Sequence, residues 1–194
     1  MKKKIAITGG IGSGKTTVVQ ILNEMGYTTF SCDGLYQEII RRKSYVFEIE
    51  KRFPQAVVNG RIDRAKLAQI IFNDEGKRKE LNQIAHPLIM QELLERMEKE
   101  KSDLVFAEVP LLFEGNFQNL FDAVIVVTRQ REDRIASIIQ RDGGTREDIV
   151  RKIDSQWNYD TDRDFPANHI ILLSNDYSKK DLSIQIQNAI KRLS

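Results

Sequence analysis

Residues 9 to 16 read Gly-Gly-Ile-Gly-Ser-Gly-Lys-Thr, a complete G-x-x-x-x-G-K-[ST] phosphate loop, and one residue separates it from the apolar run Ile5-Ala6-Ile7. Few short patterns constrain a fold so strongly, because the chemistry needs a strand, then a tight glycine-rich turn, then a helix. Glycines bring several backbone N–H groups onto one anion, and the following helix turns its positive end toward the same charge. The predicted cradle is Gly10, Ile11, Gly12, Ser13, Gly14, Lys15, Thr16 and Thr17. Lys15 supplies a mobile cation for β- and γ-phosphates, and Thr16 a hydroxyl for Mg²⁺.

Composition excludes several classes. Thirty basic residues against 28 acidic ones give a net charge of +2, too balanced for a dedicated nucleic-acid binder. The basic residues do cluster: Arg129, Arg131, Arg134, Arg141, Arg146, Arg151 and Lys152 lie close together in sequence, as a cationic cover over a polyphosphate or as a solvated, charge-paired helix face. Met1-Lys2-Lys3-Lys4 is followed by only a short apolar strand, so a cytoplasmic chain without a membrane span is expected. Cys32 is the sole cysteine and is expected to be a small buried filler; with two histidines in the chain, a zinc site is disfavoured. Oligomeric state is left between monomer and small homo-oligomer.

Hydrophobic patterning gives alternating strands and helices. Strands are predicted over about 3–8, 27–32, 104–107, 123–127 and 170–173, and the continuous β-rich runs suit central parallel strands covered on both faces. Helices follow the phosphate loop, burying Val18, Ile21, Leu22 and Met25, and cover about 130–141, 145–157 and 178–192. Thr145 with Asp148 and Ser178 with Asp181 read as capping boxes. The result is a single α/β domain, residues 1–194, with a doubly wound parallel five-stranded sheet. Residues 1–32 plus 102–194 form its nucleotide-binding core. The stretch 33–101 shows no convincing strand and is expected to be a helical, acceptor-binding insertion. In it, Leu35, Ile39 and Ile40 make one apolar face and Ala65, Leu67, Ala68, Ile70, Ile71 and Phe72 another, Asp63 is an N-cap, and His86-Pro87 opens a long helix. An arginine-rich lid is assigned to about 129–165.

Two acidic residues fall where phosphoryl-transfer chemistry wants them. Asp33 follows the second strand, where a carboxylate can act as a base on an attacking hydroxyl or can simply cap a helix. Glu108 follows the 104–107 strand, the place of an acidic residue that holds Mg²⁺ through water or of a solvated strand-end carboxylate.

Beyond the loop, the chain resembles the dephospho-coenzyme A kinase family along nearly its whole length. The resemblance is carried by C-D at 32 and 33, G-R-I-D-R-A-K-L at 60–67, H-P-L-I at 86–89, V-P-L-L-F-E at 109–114, Q-R-D at 140–142 and N-D at 175 and 176. It implies ATP and Mg²⁺ as cofactors, dephospho-coenzyme A as the small-molecule partner, and transfer of the γ-phosphate to a ribose 3′-hydroxyl. By that resemblance, Asp33, Lys15 and Arg141 are catalytic and Thr16 and Glu108 hold the metal. Asp63, Arg64, His86, Leu111, Leu112, Phe113 and Glu114 contact the acceptor.

Read without the family, His86 is a packed histidine and 110–113 ordinary core, while Trp157 and Tyr159 either stack on a base or pack under the lid. Three departures bear on the roles: Glu108 where an aspartate is usual, Ser137 four residues before Arg141 with Arg134 the nearest alternative, and Ala167-Asn168 for the usual A-D, with Arg163 one residue out of place. A nucleoside or nucleotide monophosphate kinase shares the loop, the fold and the lid. A GTP-dependent switch does not fit, since no N-K-x-D occurs.

Overall fold

A computed structural model of the chain describes residues 2–72, 74–159 and 165–194. They form two compact units, Met1–Phe30 with Lys99–Ser194 and Ser31–Glu98.

The first unit is built on a five-stranded sheet. Its strands are β1 (Lys3–Thr8), β2 (Thr29–Ser31), β5 (Leu104–Glu108), β6 (Ala123–Thr128) and β7 (Ile170–Ser174), in the order β2-β5-β1-β6-β7. All five are expected from the sequence, four of them from apolar runs and β2, shorter than the predicted 27–32, without one. β1 pairs in parallel with β5 and with β6, and β6 with β7. The chain therefore leaves β1 toward one edge, returns to β5 beside it, and departs toward the other edge. The loop after β1 sits where the winding direction reverses, at the carboxyl ends of the strands, the usual crevice of such sheets.

Period-two alternation sorts the strand residues between the faces. Ile5, Ile7, Phe106, Ile125, Val127, Ile171 and Leu173 share a cluster with Val18, Ile21 and Leu22 of α1 (Lys15–Glu24) and Leu182, Ile186, Ala189 and Leu193 of α8 (Lys179–Leu193). The intervening Ala6, Val105, Ala107, Val124 and Val126 are buried too, as parallel strands covered on both sides require. Met25, expected in the core, is only partly buried against it. The Ser178 and Asp181 capping box at the start of α8 is complete in both directions. Further along are α6 (Arg131–Asp142) and α7 (Arg146–Asp154); Thr145 caps the latter by accepting from the Asp148 N–H.

The second unit contains α2 (Cys32–Ile39), α3 (Lys43–Arg52), α4 (Arg64–Phe72) and α5 (Glu75–Lys99). It departs from expectation in three ways. A hairpin of β3 (Val57–Val58) and β4 (Arg61–Ile62) pairs antiparallel within a stretch expected to hold no strand. Its two-residue turn, Asn59-Gly60, has φ of 51° and 70°, the positive pair that Asn-Gly adopts readily. Second, α4 buries Leu67 alone, and Phe72, expected on an apolar face, is 78% exposed. Third, Pro87 lies inside the 25-residue α5 and does not open it. A mid-helix proline costs ~3 kcal/mol through a lost hydrogen bond and a ring clash. Here Leu81 and Ala85 before it and Ile89, Leu93 and Met97 after it stay on one buried face, and that burial holds the helix through the proline.

Candidate nucleotide-binding site

The phosphate loop leaves β1 at Thr8 and enters α1 at Lys15. Its shape is enforced from both sides. At Gly9 a Cβ would lie 2.2 Å from the Val127 carbonyl oxygen of β6. Gly14 caps α1 in the left-handed region (φ 95°), with the Asn175 amide where a side chain would stand. Asn175 donates from Nδ2 to the Ser13 carbonyl at 3.0 Å, so the segment after β7 braces the loop. Lys15 folds back over the turn and donates from Nζ to the carbonyls of Gly9 (2.9 Å) and Gly10 (3.2 Å). Ser13 is buried and its hydroxyl has no partner among the described residues, a polar atom suited to an anion or its water at the loop. Thr16 is exposed in the first turn of α1.

Above the loop lie α6 and the end of α7. Ile11 packs against Ile135, Ile138, Ile149 and Ile153. Its carbonyl accepts from Nε of Arg134 at 2.9 Å, and its N–H donates to Oε1 of Gln156 at 2.7 Å. Arg134 is 2% exposed and its guanidinium covers Gly10 so closely that a Cβ there would meet Nη2 at 2.3 Å. Arg141 lies about two turns, roughly 10 Å, further along the same helix, exposed at its C-terminal end. It donates twice to the carboxylate of Asp142, at 2.7 Å each, and that bond raises the Arg141 pKa and lowers that of Asp142. The arginine that touches the loop is therefore Arg134. A cavity of ≈ 350 Å³ beside it is lined by Arg131, Arg134, Asp154, Gln156, Trp157 and Tyr159, among others.

The 111–114 segment is divided. Leu112 and Phe113 are buried, while Leu111 and Glu114 are exposed. Phe113 stacks on Phe165 (centroids 5.5 Å apart, 17° between planes) and meets Trp157 and Tyr159 at 5.5 and 6.0 Å. Trp157 and Tyr159 thus pack on the protein's own aromatic cluster. Burial raises the Tyr159 pKa, and its hydroxyl shares a hydrogen bond with the Thr8 hydroxyl at 3.2 Å. Glu114 accepts from the Trp157 N–H at 2.9 Å. Glu108 is the last residue of β5, in register with Ile7 of β1 and so one residue from the loop's approach. No group of three or more His, Cys, Asp or Glu able to hold a metal occurs among the described residues. The donors at the loop, one hydroxyl and one carboxylate, suit a hard cation that completes its shell from phosphates and water.

In the second unit, Asp33 is exposed in the first turn of α2, and the cap is Ser31, whose Oγ accepts from the Gly34 N–H at 3.4 Å. Capping is not the task of Asp33. Asp63 does cap α4, accepting from the Lys66 N–H at 3.1 Å, and Arg64 donates to Oε1 of Gln37 at 2.8 Å. His86 is half-buried in mid-α5, and desolvation holds its pKa below the usual 6.5. Cys32 is buried. Arg163, with the rest of 160–164 in the expected lid, lies outside the described residues.

The dephospho-CoA kinase family model matches residues 3–181. The chain belongs to the dephospho-CoA kinase family. Among its relatives, the dephospho-CoA kinase of Listeria monocytogenes is 32% identical over 99% of this chain and 98% of its own length. That of Thermus thermophilus is 36% identical over 76% of this chain and 72% of its own. Among solved structures, TT1252 from Thermus thermophilus superposes with a TM-score of 0.84 at 32% identity, covering 100% of this chain and 98% of that one. Dephospho-CoA kinase from Campylobacter jejuni gives 0.71 at 31%, with the same coverage. Shikimate kinase from Bacteroides thetaiotaomicron, at 13% identity and a TM-score of 0.53 over 98% of both chains, shares the fold.

Proposed function

We propose that this dephospho-CoA kinase family member transfers the γ-phosphoryl group of ATP to the ribose 3′-hydroxyl of dephospho-CoA, giving coenzyme A and ADP. The observation that carries this reading is the phosphate loop, with Lys15 folded over it and Arg134 and Gln156 holding Ile11, in a chain that matches the family model across residues 3–181. Transfer breaks the bond from the γ-phosphorus to the β,γ-bridging oxygen and forms one to the 3′-oxygen. The hydroxyl proton passes to Asp33, whose carboxylate is exposed and not used as a cap. Lys15 and the loop amides hold the triphosphate, and Arg141, with Arg134 nearer the loop, supplies positive charge for the phosphoryl group in flight.

Thr16 and Glu108 would hold Mg²⁺, which when bound neutralises phosphate charge. Asp63, Arg64, His86, Leu111 and Glu114 are the acceptor-side residues, with Leu112 and Phe113 supporting Leu111 from the interior. The reaction runs in the cytoplasm on a small molecule, and among the described residues no helix is long and apolar enough to cross a membrane.

The test is purified protein with ATP and Mg²⁺ against dephospho-CoA, common nucleosides and nucleoside monophosphates, with phosphorus NMR to locate the new ester. Turnover confined to dephospho-CoA, with a 3′-phosphomonoester product, is the expected result. Preferential phosphorylation of a nucleoside monophosphate would overturn it.

A further inference from the structure

The second unit contains a cleft of ≈ 460 Å³ lined by Gln37, Ile40, Arg41, Val46, Gly60, Arg61, Ile62 and Arg64. That volume lies in the range of small-molecule sites. Its chemistry is lopsided: three guanidinium groups, one from a turn, one from a strand and one from a helix, and no carboxylate. Arg41 follows α2, Arg61 opens β4 straight after the Asn59-Gly60 turn, and Arg64 opens α4. Elsewhere in the same unit Arg42, Arg52 and Arg96 each pair with a glutamate, at 2.6 to 2.8 Å. The acidic residues nearest the cleft in sequence are committed to other partners. Glu38 binds the Arg96 guanidinium through both its oxygens, at 3.1 and 2.6 Å, and Asp63 caps α4. Among the described residues neither Arg41 nor Arg61 has a carboxylate partner. Clustered guanidinium groups left without acidic neighbours suit bidentate recognition of phosphate oxygens, and Ile40, Val46 and Ile62 add an apolar wall.

We propose that this cleft is a phosphate-binding subsite that takes the diphosphate of the acceptor, with Arg41 and Arg61 as the principal contacts and the apolar wall against the adjoining pantetheine arm. The proposal rests on the acceptor being dephospho-CoA and adds where its charge is read. The cleft lies within one compact unit, so its arginines can be probed separately from the phosphate loop.

The experiment uses the full chain and the variants Arg41→Gln and Arg61→Gln. Steady-state kinetics give KM for dephospho-CoA and for ATP separately, and calorimetry with saturating ADP measures binding of 4′-phosphopantetheine, the part of the acceptor without its adenosine. Each variant is expected to raise KM for dephospho-CoA about tenfold or more, to weaken 4′-phosphopantetheine by the same factor, and to leave KM for ATP unchanged. KM for dephospho-CoA unchanged in both variants overturns the proposal, even where 4′-phosphopantetheine binding falls, because the anion then belongs to a second molecule. Should the wild type not turn over dephospho-CoA, the functional reading fails and the calorimetry alone decides the subsite: affinity lost in both variants keeps a phosphate site, equal affinity removes it.

Discussion

Gly9→Ala tests whether the phosphate loop is shaped by contact or merely by local flexibility. The new Cβ would stand 2.2 Å from the Val127 carbonyl oxygen and 2.9 Å from the Ser13 hydroxyl. The first distance is about 1 Å short of an ordinary C···O contact of about 3.3 Å. The obstacle is backbone of a central strand, which has nowhere to retreat, and a φ of 146° adds strain for any residue with a side chain. Overpacking costs ~1–3 kcal/mol and backbone strain a similar amount, so the loss is expected to be about 2–6 kcal/mol. At ~2–4 °C per kcal/mol for a chain this long, even the lower end shifts Tm by about 5 °C.

Gly10→Ala supplies the contrast. There the obstacle is the Arg134 guanidinium, at 2.3 Å, a movable group whose displacement breaks its bond to Ile11. The expected cost is ~1–3 kcal/mol. It should vanish in an Arg134→Ala background, giving a large coupling in the double-mutant cycle. Urea unfolding with an unchanged m-value is the assay. A Gly9→Ala midpoint equivalent to wild type within about 0.5 kcal/mol would refute the packing argument, and additive Gly10 and Arg134 effects would refute the second half.

Other outcomes follow from the site and its supports. Asp33→Asn should lower kcat by roughly 10²-fold or more while ATP affinity is kept, and unchanged turnover would remove the proposed base. Burial depresses the His86 pKa in the folded chain, so the unfolded chain takes up more protons just below pH 6.5. Stability from this group is present above that pH and lost as pH falls toward the folded value; urea midpoints from pH 8 to 5 should decline less in His86→Gln than in wild type. Ser178→Ala breaks the capping box of α8 and should cost ~1 kcal/mol, read as a Tm lower by ~2–4 °C.

What the sequence disclosed and what it hid divide along the range of the forces involved. The loop and the five strands depend on nearest neighbours and, for four of the strands, on continuous apolar runs, so they are readable. Pro87 misleads because a local rule against mid-helix proline is outweighed by packing on both sides of it. The 57–62 hairpin carried a legible mark, Asn-Gly between β-branched residues, yet its two-residue strands are too short to show period-two alternation. In α4 six of the nine residues are apolar, and only the fold decides that Leu67 alone goes inside. Arg134 and Gln156 meet the loop across 123 and 145 residues of sequence, a distance no spacing pattern spans. The one available hint was the seven-residue interval from Arg134 to Arg141, which sets both on one helical face.

The double tether on Ile11 also makes the molecule its own optical probe. A loop residue fastened at both its N–H and its C=O cannot be displaced by an arriving triphosphate without tugging on Gln156. The next residue is the chain's sole tryptophan, whose ring leans on Phe113. Intrinsic emission at that indole should therefore shift on titration with ATP, with no label attached, and a flat titration under saturating nucleotide would mean that the cradle is already in its final shape before the phosphates enter.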